Sequence, residues 1–292
     1  MFPPTASTDS LSHRTGAFSP ISFGRFVEEK KYLDGVSPRT ARNYWDALKA
    51  FHRYHTGNEI TEASLKAMAM AMARAGMSPG AIHSNARSLN TFLRWSKSPA
   101  TVPLPKLSSK VLSTYSPAQI RKLIDTYPRT HTDTRVRAIL SLLVDCGARI
   151  GEVLTLTREA VDLDNLLVKL DGKTGQRIVP ISIEGRKRLY QWMRSHHHRL
   201  VFPTVTGGHL RCDNLRQDFI EWLAYCDVPQ AEGSFHAFRR YFSQQYLANG
   251  GSPLHLQRIL GHSDLEMVNR YVAEMTNDIA RVHNDLSPLA RR

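Results

Sequence analysis

The apolar positions in the first hundred residues recur every three to four residues, a spacing that predicts a series of short amphipathic helices. Ser37-Pro38 and Ser78-Pro79 each place a capping hydroxyl before a proline at the first helical position, and Thr61 caps a helix between them. A further helix precedes these three. Four helices joined by short turns within residues 18–98 predict an all-α bundle.

Two stretches lack this periodicity and indicate how the chain is divided. Residues 1–17 are rich in Ser, Thr and Pro, which is typical of a disordered leader. Residues 99–114 gather prolines, serines and lysines, which predicts a semi-extended linker. A second domain then covers residues 115–275, and residues 276–292 form a C-terminal tail with one more apolar pattern.

The second domain is predicted to contain helices and one β-hairpin. Residues 166–170 and 176–181 flank a turn that is bracketed by two glycines and has Lys173 at its tip. The helices are predicted at residues 117–127, 137–144, 149–156, 183–195, 214–225, 234–248 and 253–260. The fold expected for the whole chain is therefore mainly α, with a small antiparallel sheet in a mixed α/β second domain.

The composition is that of an ordinary globular protein, with 41% hydrophobic and 22% charged residues. No apolar run approaches the roughly 18 residues that a membrane span needs, and the N-terminus lacks the apolar core of a signal peptide. The three cysteines are too few and too scattered for a disulfide framework or a Cys-x-x-Cys site. Adjacent histidines at 196–198 point in different directions on a helix, so no metal site is predicted there. We expect a cytoplasmic protein.

The net charge of the chain indicates what kind of partner it binds. Lys and Arg number 39 against 26 Asp and Glu, which gives a net charge of +13 and an isoelectric point near 9.9. Residues 1–106 carry 14 basic and 7 acidic side chains and the remainder carries 25 and 19, so the two parts contribute +7 and +6. A polyanion contacted by both domains fits this distribution, because each neutralised phosphate releases counterions. Binding to a ribosome or a membrane surface would account for the same charge.

Two pairs of polar residues are spaced for chemistry. Arg149 lies at a tight corner between two predicted helices, with Glu152 one turn away. The two form either a simple ion pair or an arginine held rigid so that its planar fork faces a phosphate. His236 and Arg239 are three residues apart and therefore share one face of a helix.

A tyrosine near the C-terminus is the third candidate. Tyr271 follows His262 by nine residues and lies near the middle of a short predicted helix, for which Ser263 is a suitable cap. Taken alone, it is typical of a tyrosine packed in a core. A tyrosine becomes a nucleophile only with help in losing its proton, because its unperturbed pKa is about 10.

In chain order, five motifs resemble the signature of the tyrosine recombinases, the phage-integrase and Xer-type enzymes. They are Cys-Gly-Ala-Arg149-Ile-Gly-Glu152, Gly-Lys173-Thr-Gly, His236-Ala-Phe-Arg239, Leu-Gly-His262 and Tyr271. Each motif is weak alone, but their order and the step from His262 to Tyr271 are specific. The resemblance covers residues 113–275 by motif. The helical domain before it matches the family's SAM-like core-DNA-binding domain in size, helix count and position.

The resemblance implies a site-specific DNA recombinase that cuts and rejoins strands through a 3′-phosphotyrosyl intermediate, without a cofactor or metal. The site residues that it implies are Arg149, Lys173, His236, Arg239, His262 and Tyr271. The two arginines would clamp the non-bridging phosphate oxygens, and His262 would donate a further hydrogen bond to them. His236 would exchange a proton with the tyrosine, and Lys173 would protonate the leaving 5′-oxygen. Glu152 would orient the first arginine.

By the same resemblance, the partners are double-stranded DNA with specific recombination sites and three further copies of the chain, since four protomers assemble on two sites. A second recombinase or an accessory DNA-bending protein would complete the assembly where the system needs one. The tail at 276–292 either docks on a neighbouring protomer or packs on its own chain. No arm-binding domain precedes residue 18, which favours a compact Xer-type or transposon-type enzyme. The expected location is the nucleoid, with no membrane partner.

Two other functions stay open at this point. A type IB topoisomerase shares this chemistry but relaxes supercoiled DNA as a monomer without strong site choice. A non-catalytic DNA-binding regulator would use the same basic surface while Tyr271 only packs. The residues do not distinguish chromosome-dimer resolution, phage integration and transposon movement.

Overall fold

The computed structural model describes residues 20–56, 59–107, 113–172 and 175–261. The chain divides into two units, residues 1–110 and 111–292, and each has a hydrophobic core of its own. Among the described residues, no helix combines the length and the apolar character that crossing a bilayer would require.

Within its described residues, 20–56 and 59–107, the first unit contains four helices, as predicted. They are α1 (Pro20–Tyr32), α2 (Pro38–Tyr54), α3 (Glu62–Arg74) and α4 (Pro79–Trp95). The hydroxyls of Ser37 and Ser78 accept hydrogen bonds from backbone N–H groups three residues on, at 3.2 and 3.3 Å, so both Ser-Pro starts are confirmed. Thr61 and Ser64 cap α3 reciprocally, each side chain accepting from the other's backbone N–H at 3.1 Å.

Aromatic rings join α1 to this bundle. Phe23 and Phe26 on α1 pack against Phe92 on α4, with ring centroids 4.6 and 5.3 Å from that of Phe92. All three rings are fully buried, and each such burial contributes about 1.5–3 kcal/mol. At the edge of the cluster, Trp95 Nε1 donates to Glu29 Oε2 at 2.7 Å.

The chain that follows α4 packs back on that helix. The side chain of Asn90 donates to Val102 O at 2.9 Å and accepts from Val102 N at 2.7 Å, much as a neighbouring strand would. Ala100 and Val102 are buried in the core of the first unit. Residues 100–102, inside the predicted linker 99–114, are therefore part of the helical unit. Their alternating apolar positions are the sequence signal for this packing.

The second unit contains seven α-helices and a short 3₁₀ helix (Arg158–Ala160) within its described residues, together with a three-stranded sheet. The helices are α5 (Pro117–Asp125), α6 (His131–Cys146), α7 (Ile150–Leu154), α8 (Ile183–Met193), α9 (Cys212–Tyr225), α10 (His236–Ala248) and α11 (Pro253–Leu260). The antiparallel strands, in spatial order, are β1 (Val161–Asp162), β2 (Leu167–Gly172) and β3 (Gly175–Pro180). The predicted fold, mainly α with a small antiparallel sheet, is confirmed.

The predicted hairpin consists of β2 and β3. Val168 pairs with Val179, and Gly172 pairs with Gly175 at the end of the ladder. Val168, Leu170 and Val179 are fully buried while the residues between them are exposed or half-buried. This alternation is typical of an antiparallel sheet with one covered face. The sequence does not predict β1, which has only two residues.

Helix α6 packs against five of the other helices of this unit and is longer than predicted. The sequence predicts it from residue 137, but it begins at His131. The first turns are polar and escape the apolar pattern because their side chains form ion pairs. One of these pairs joins Arg135 to Asp218 at 2.8 Å.

Helix α6 is capped by Gly147, which adopts the left-handed conformation with φ of +62°. A Cβ here would overlap the ring of Phe242 on α10 and lie 3.0 Å from Cδ2 of Leu260 on α11. Glycine therefore allows the chain to turn while two other helices pack against the turn. Two residues later the chain reaches Arg149.

We predict that Gly147→Ala destabilises the second unit more than Gly250→Ala does. Both glycines have positive φ, but a Cβ at Gly250 would meet nothing within 4 Å. Replacing Gly250 therefore costs about 1–2 kcal/mol of backbone strain, and replacing Gly147 adds about 1–3 kcal/mol from overpacking. Urea unfolding of both variants measures the difference. Equal losses of unfolding free energy would show that α10 and α11 move away from the turn without cost.

Candidate active site

The corner between α6 and α7 holds Arg149 and Glu152 together. The backbone N–H of Arg149 donates to Glu152 Oε2 at 2.8 Å, and Arg149 Nη1 donates to Oε1 at 3.0 Å. Glu152 is buried, whereas 28% of the Arg149 side chain is exposed. The predicted pair is formed, and it leaves part of the Arg149 side chain open to solvent.

A second arginine binds the same carboxylate from β3. Arg177 Nη1 donates to Glu152 Oε1 at 2.6 Å and Arg177 Nη2 donates to Oε2 at 2.7 Å, which makes a bidentate pair. Arg177 Nε donates to the carbonyl oxygen of Ile259 on α11 at 2.8 Å. Glu152 thus accepts two hydrogen bonds from Arg177 and two from Arg149.

These contacts decide the charge of Glu152. Burial alone would raise the pKa of this carboxyl, but the hydrogen bonds and charge of Arg177 and the hydrogen bonds of Arg149 lower it to about 2. The carboxylate is therefore ionised throughout the physiological pH range. Because it is buried and fully paired, it holds both arginines in place.

Arg239, in the first turn of α10, joins the ends of α6 and α11. It is buried, and its Nη1 and Nη2 donate to the carbonyl oxygens of Gly147 and Leu260, each at 2.6 Å. Gly147 ends α6 two residues before Arg149, and Leu260 is the last residue of α11. The guanidinium therefore holds the Arg149 corner and the end of α11 against each other.

His236 is the first residue of α10, one turn before Arg239. The residue is exposed. Partial loss of hydrating water, together with the charges of Arg239, Arg240 and Arg149, lowers the pKa of His236 below the usual 6.5. His236 is therefore neutral at pH 7 and able to accept a proton.

The structure brings three of the predicted site residues together. The bond from Arg239 to Gly147 places Arg239 beside the Arg149 corner, and both arginines act electrostatically on His236. The other three predicted residues lie outside the described part of the chain: Lys173, His262 and Tyr271.

Arg177, which binds the Glu152 carboxylate, is not predicted from the sequence. Its carboxylate partner lies 25 residues earlier, so no local spacing connects the two. The available signal is that Arg177 is the single charged residue of an otherwise uncharged strand, β3. A charge in the middle of such a strand needs a partner from elsewhere in the fold.

The run of histidines at 196–198 follows α8. His196 Nε2 lies 3.1 Å from the carbonyl oxygen of Val201, and its ring packs on Trp192 with centroids 5.2 Å apart. In the portion of the chain that the structure describes, no three His, Cys, Asp or Glu side chains are grouped to hold a metal ion.

Residues 114–277, more than half of the chain, match the model of the phage integrase family. The chain belongs to the phage integrase family of tyrosine recombinases. The tyrosine recombinase XerC of Shewanella amazonensis is 22% identical to it over 287 residues, which cover 92% of this chain and 96% of that protein.

Two solved structures share the fold of this tyrosine recombinase. The Tn1549 transposon integrase in complex with transposon right end DNA has a TM-score of 0.76 at 17% identity, covering 90% of this chain and 97% of that one. A lambda integrase tetramer bound to a Holliday junction has a TM-score of 0.69 at 16% identity, covering 86% and 76%. At these identities the likeness is one of fold.

We predict that Glu152→Gln destabilises this tyrosine recombinase by about 3 kcal/mol at pH 7, because moving the carboxyl pKa from 4.5 to about 2 corresponds to that free energy. A lowered pKa contributes stability that is complete above the unfolded value of 4.5 and is lost as the pH falls through the folded value. Urea unfolding should therefore show the difference between wild type and variant shrinking as the pH falls below 4.5.

Glu184→Gln is the matched control. Its carboxylate is exposed and pairs with Arg188 at 3.1 Å, so its loss should change the unfolding free energy by less than about 1 kcal/mol. A difference between Glu152→Gln and wild type that does not depend on pH would contradict the assigned charge.

Proposed function

We propose that the chain is a site-specific DNA recombinase that cuts and rejoins DNA strands through a 3′-phosphotyrosyl intermediate on Tyr271. The observation that carries the proposal is the convergence of Arg149, His236 and Arg239 around the ends of α6, α7 and α10. Two cationic forks and a neutral imidazole at one place are suited to a phosphate ester whose nucleophile must lose a proton.

The arginines would stabilise charge on the phosphate. In phosphoryl transfer the main task is to stabilise the non-bridging oxygens, and a planar guanidinium pairs with them bidentately. Arg149 is held by a buried carboxylate and is still partly exposed. Arg239 is bonded to the last carbonyl of α11, after which the chain continues to Gly261 and His262. His262 would donate a further hydrogen bond to the same oxygens.

His236 and Lys173 would transfer protons in the reaction. Tyr271 needs a base near it, and His236 is neutral at pH 7 because its pKa is lowered. Lys173 would protonate the leaving 5′-oxygen. The phosphotyrosyl bond keeps the phosphate activated until a new 5′-hydroxyl attacks it. The mechanism uses side chains alone.

DNA sites and self-assembly complete the proposal. Both parts of the chain are basic, with +7 up to residue 106 and +6 beyond it, as a shared DNA partner requires. The similar Tn1549 integrase is complexed with transposon DNA, and the similar lambda integrase is a tetramer on a Holliday junction. We assign core-DNA binding to residues 18–98 and catalysis to residues 115–275. Four protomers would act on two sites at the nucleoid, with residues 276–292 docking on a neighbour.

The proposal predicts that the wild-type protein becomes covalently joined to a nicked suicide substrate and that Tyr271→Phe does not. The nick releases the fragment that would otherwise attack the intermediate, so the adduct accumulates. The DNA is taken from sequences that flank the gene. Denaturing gels and peptide mapping measure the adduct, and a mobility shift should show that Tyr271→Phe still binds the DNA.

Tyr127→Phe, at an exposed tyrosine, is the control and should form the adduct as the wild type does. Binding without any adduct in the wild type would favour a regulator. An adduct accompanied by relaxation of any supercoiled plasmid, with no recombinant products, would favour a type IB topoisomerase.

We predict that the single-turnover cleavage rate falls on the acid side as His236 takes up a proton; in the DNA-free protein the pKa of this imidazole is lowered. The neutral imidazole of His236 is the form that accepts a proton, and a lowered pKa keeps it neutral at any higher pH. His236→Gln should slow cleavage by about 100-fold or more and remove this acid limb. An acid limb that persists unchanged in His236→Gln would contradict the role.

A further inference from the structure

We propose that Arg177 is a positioning residue of the recombination site, one that joins the Arg149 corner to the hairpin of β2 and β3 and to the end of α11. The inference rests on the proposed function, because it takes the groups borne by these three elements as those that act on the phosphate. Arg177 itself is 10% exposed and is placed to hold other groups rather than to contact DNA.

All three nitrogens of the Arg177 guanidinium donate hydrogen bonds. Nη1 and Nη2 bond the two oxygens of Glu152 at 2.6 and 2.7 Å, and Nε bonds the carbonyl oxygen of Ile259 at 2.8 Å. These three bonds lie along one planar group, so the carboxylate and the end of α11 cannot move independently. One side chain therefore connects α7, β3 and α11.

Through Glu152, Arg177 acts on Arg149. Glu152 alone with Arg149 would be a neutral pair, and a phosphate would gain little charge stabilisation from it. With Arg177 as the buried second partner, the three side chains carry a net charge of +1. The more exposed member of the trio is Arg149, with 28% of its side chain open against 10% for Arg177. The net positive charge of the three side chains is therefore most accessible at Arg149, where a phosphate can contact it.

The hairpin of β2 and β3 also packs against the Glu152 carboxylate. A Cβ at Gly172, the last residue of β2, would overlap Oε1 of Glu152, so the strand passes directly against the carboxylate. Arg177 faces Leu170 in the ladder of β2 and β3. The strand end that leads to Lys173 is thereby held next to the group that holds Arg149.

The third connection is to the residue before His262. Gly261 ends α11 with φ of +62°, and a Cβ there would lie 2.9 Å from Cδ of Arg177. The chain thus passes over the Arg177 side chain at the point where it continues to His262. A lysine at position 177 would bring one ammonium group in place of the fork, and it could not bond both carboxylate oxygens and the Ile259 carbonyl in one plane.

The test is Arg177→Lys in the full chain, assayed on the nicked suicide substrate with protein in excess of DNA. The single-turnover cleavage rate should fall about 10- to 100-fold, the effect of displacing reacting groups by about 1 Å. DNA affinity in a mobility shift should be nearly unchanged, because exposed side chains make the phosphate contacts. A wild-type cleavage rate, or a parallel loss of affinity and rate, would overturn the proposal.

Arg135→Lys is the matched control. Arg135 is also buried and donates to the carbonyl oxygen of Pro203 at 2.9 Å and to Asp218 at 2.8 Å. Its replacement should lower the midpoint of unfolding and leave the cleavage rate unchanged. If both lysine variants slow cleavage to the same extent, Arg177 contributes only to the fold and the proposal fails.

A second variant covers the case in which Arg177→Lys does not fold. Arg177→Met combined with Glu152→Gln leaves no buried charge without a partner. It should cleave more slowly than Glu152→Gln alone, because it also loses the bond to Ile259. Equal rates for the double and single variants would overturn the proposal.

A modified substrate separates positioning from folding. When a methyl group replaces one non-bridging oxygen of the scissile phosphate, the phosphate is neutral and depends less on a well-placed Arg149. The deficit of Arg177→Lys relative to wild type should shrink on this substrate, and a deficit of the same size would contradict the proposal. If the wild type forms no adduct even with the ordinary substrate, the proposed function itself fails, and this inference with it.

Discussion

A carboxylate removed from water must be neutralised and hydrogen-bonded at both oxygens, and Glu152 meets this requirement with two arginines. The desolvation of such a group costs several kcal/mol before its partners are counted. The partners come from the start of α7 and from β3, which are far apart in the sequence. The cost is offset only when these elements are packed together. The fold is therefore stable only when Arg149 and Arg177 are in place beside the buried Glu152 carboxylate.

Arg177 and a third arginine, Arg239, bond the ends of two helices. The last carbonyls of a helix have no partner within it and carry the negative end of its dipole. In α11 the carbonyls of Ile259 and Leu260 accept from Arg177 and Arg239, and the carbonyl of Gly147, the capping residue after α6, accepts from Arg239. Two guanidinium groups thus satisfy the ends of two helices. They also fix the positions at which α6 and α11 end, just before the predicted site residues Arg149 and His262.

The parts of this arrangement that local spacing encodes could be predicted from the sequence. The Ser-Pro starts of α2 and α4 and the three-residue step from Arg149 to Glu152 are visible because the partners are one turn apart. The role of Arg177 is invisible for the opposite reason, since its partners lie 25 residues before it and 82 residues after it. The polar first turns of α6 are not predicted for a similar reason, because the ion pair of Arg135 with the distant Asp218 takes the place of an apolar contact.

Among the described residues, two of the groups proposed to react lie at the starts of helices, since Arg149 precedes α7 and His236 begins α10. Glu152 and Arg177, which hold Arg149, are inside α7 and β3. Arg239 is buried in the first turn of α10 and combines both roles. End positions leave a side chain partly open to a substrate, and interior positions keep the supporting contacts dry and rigid. A phosphate can then be met by exposed charge without loosening the buried network. The +13 charge of the chain explains attraction to DNA, but this division explains how one phosphate could be selected for reaction.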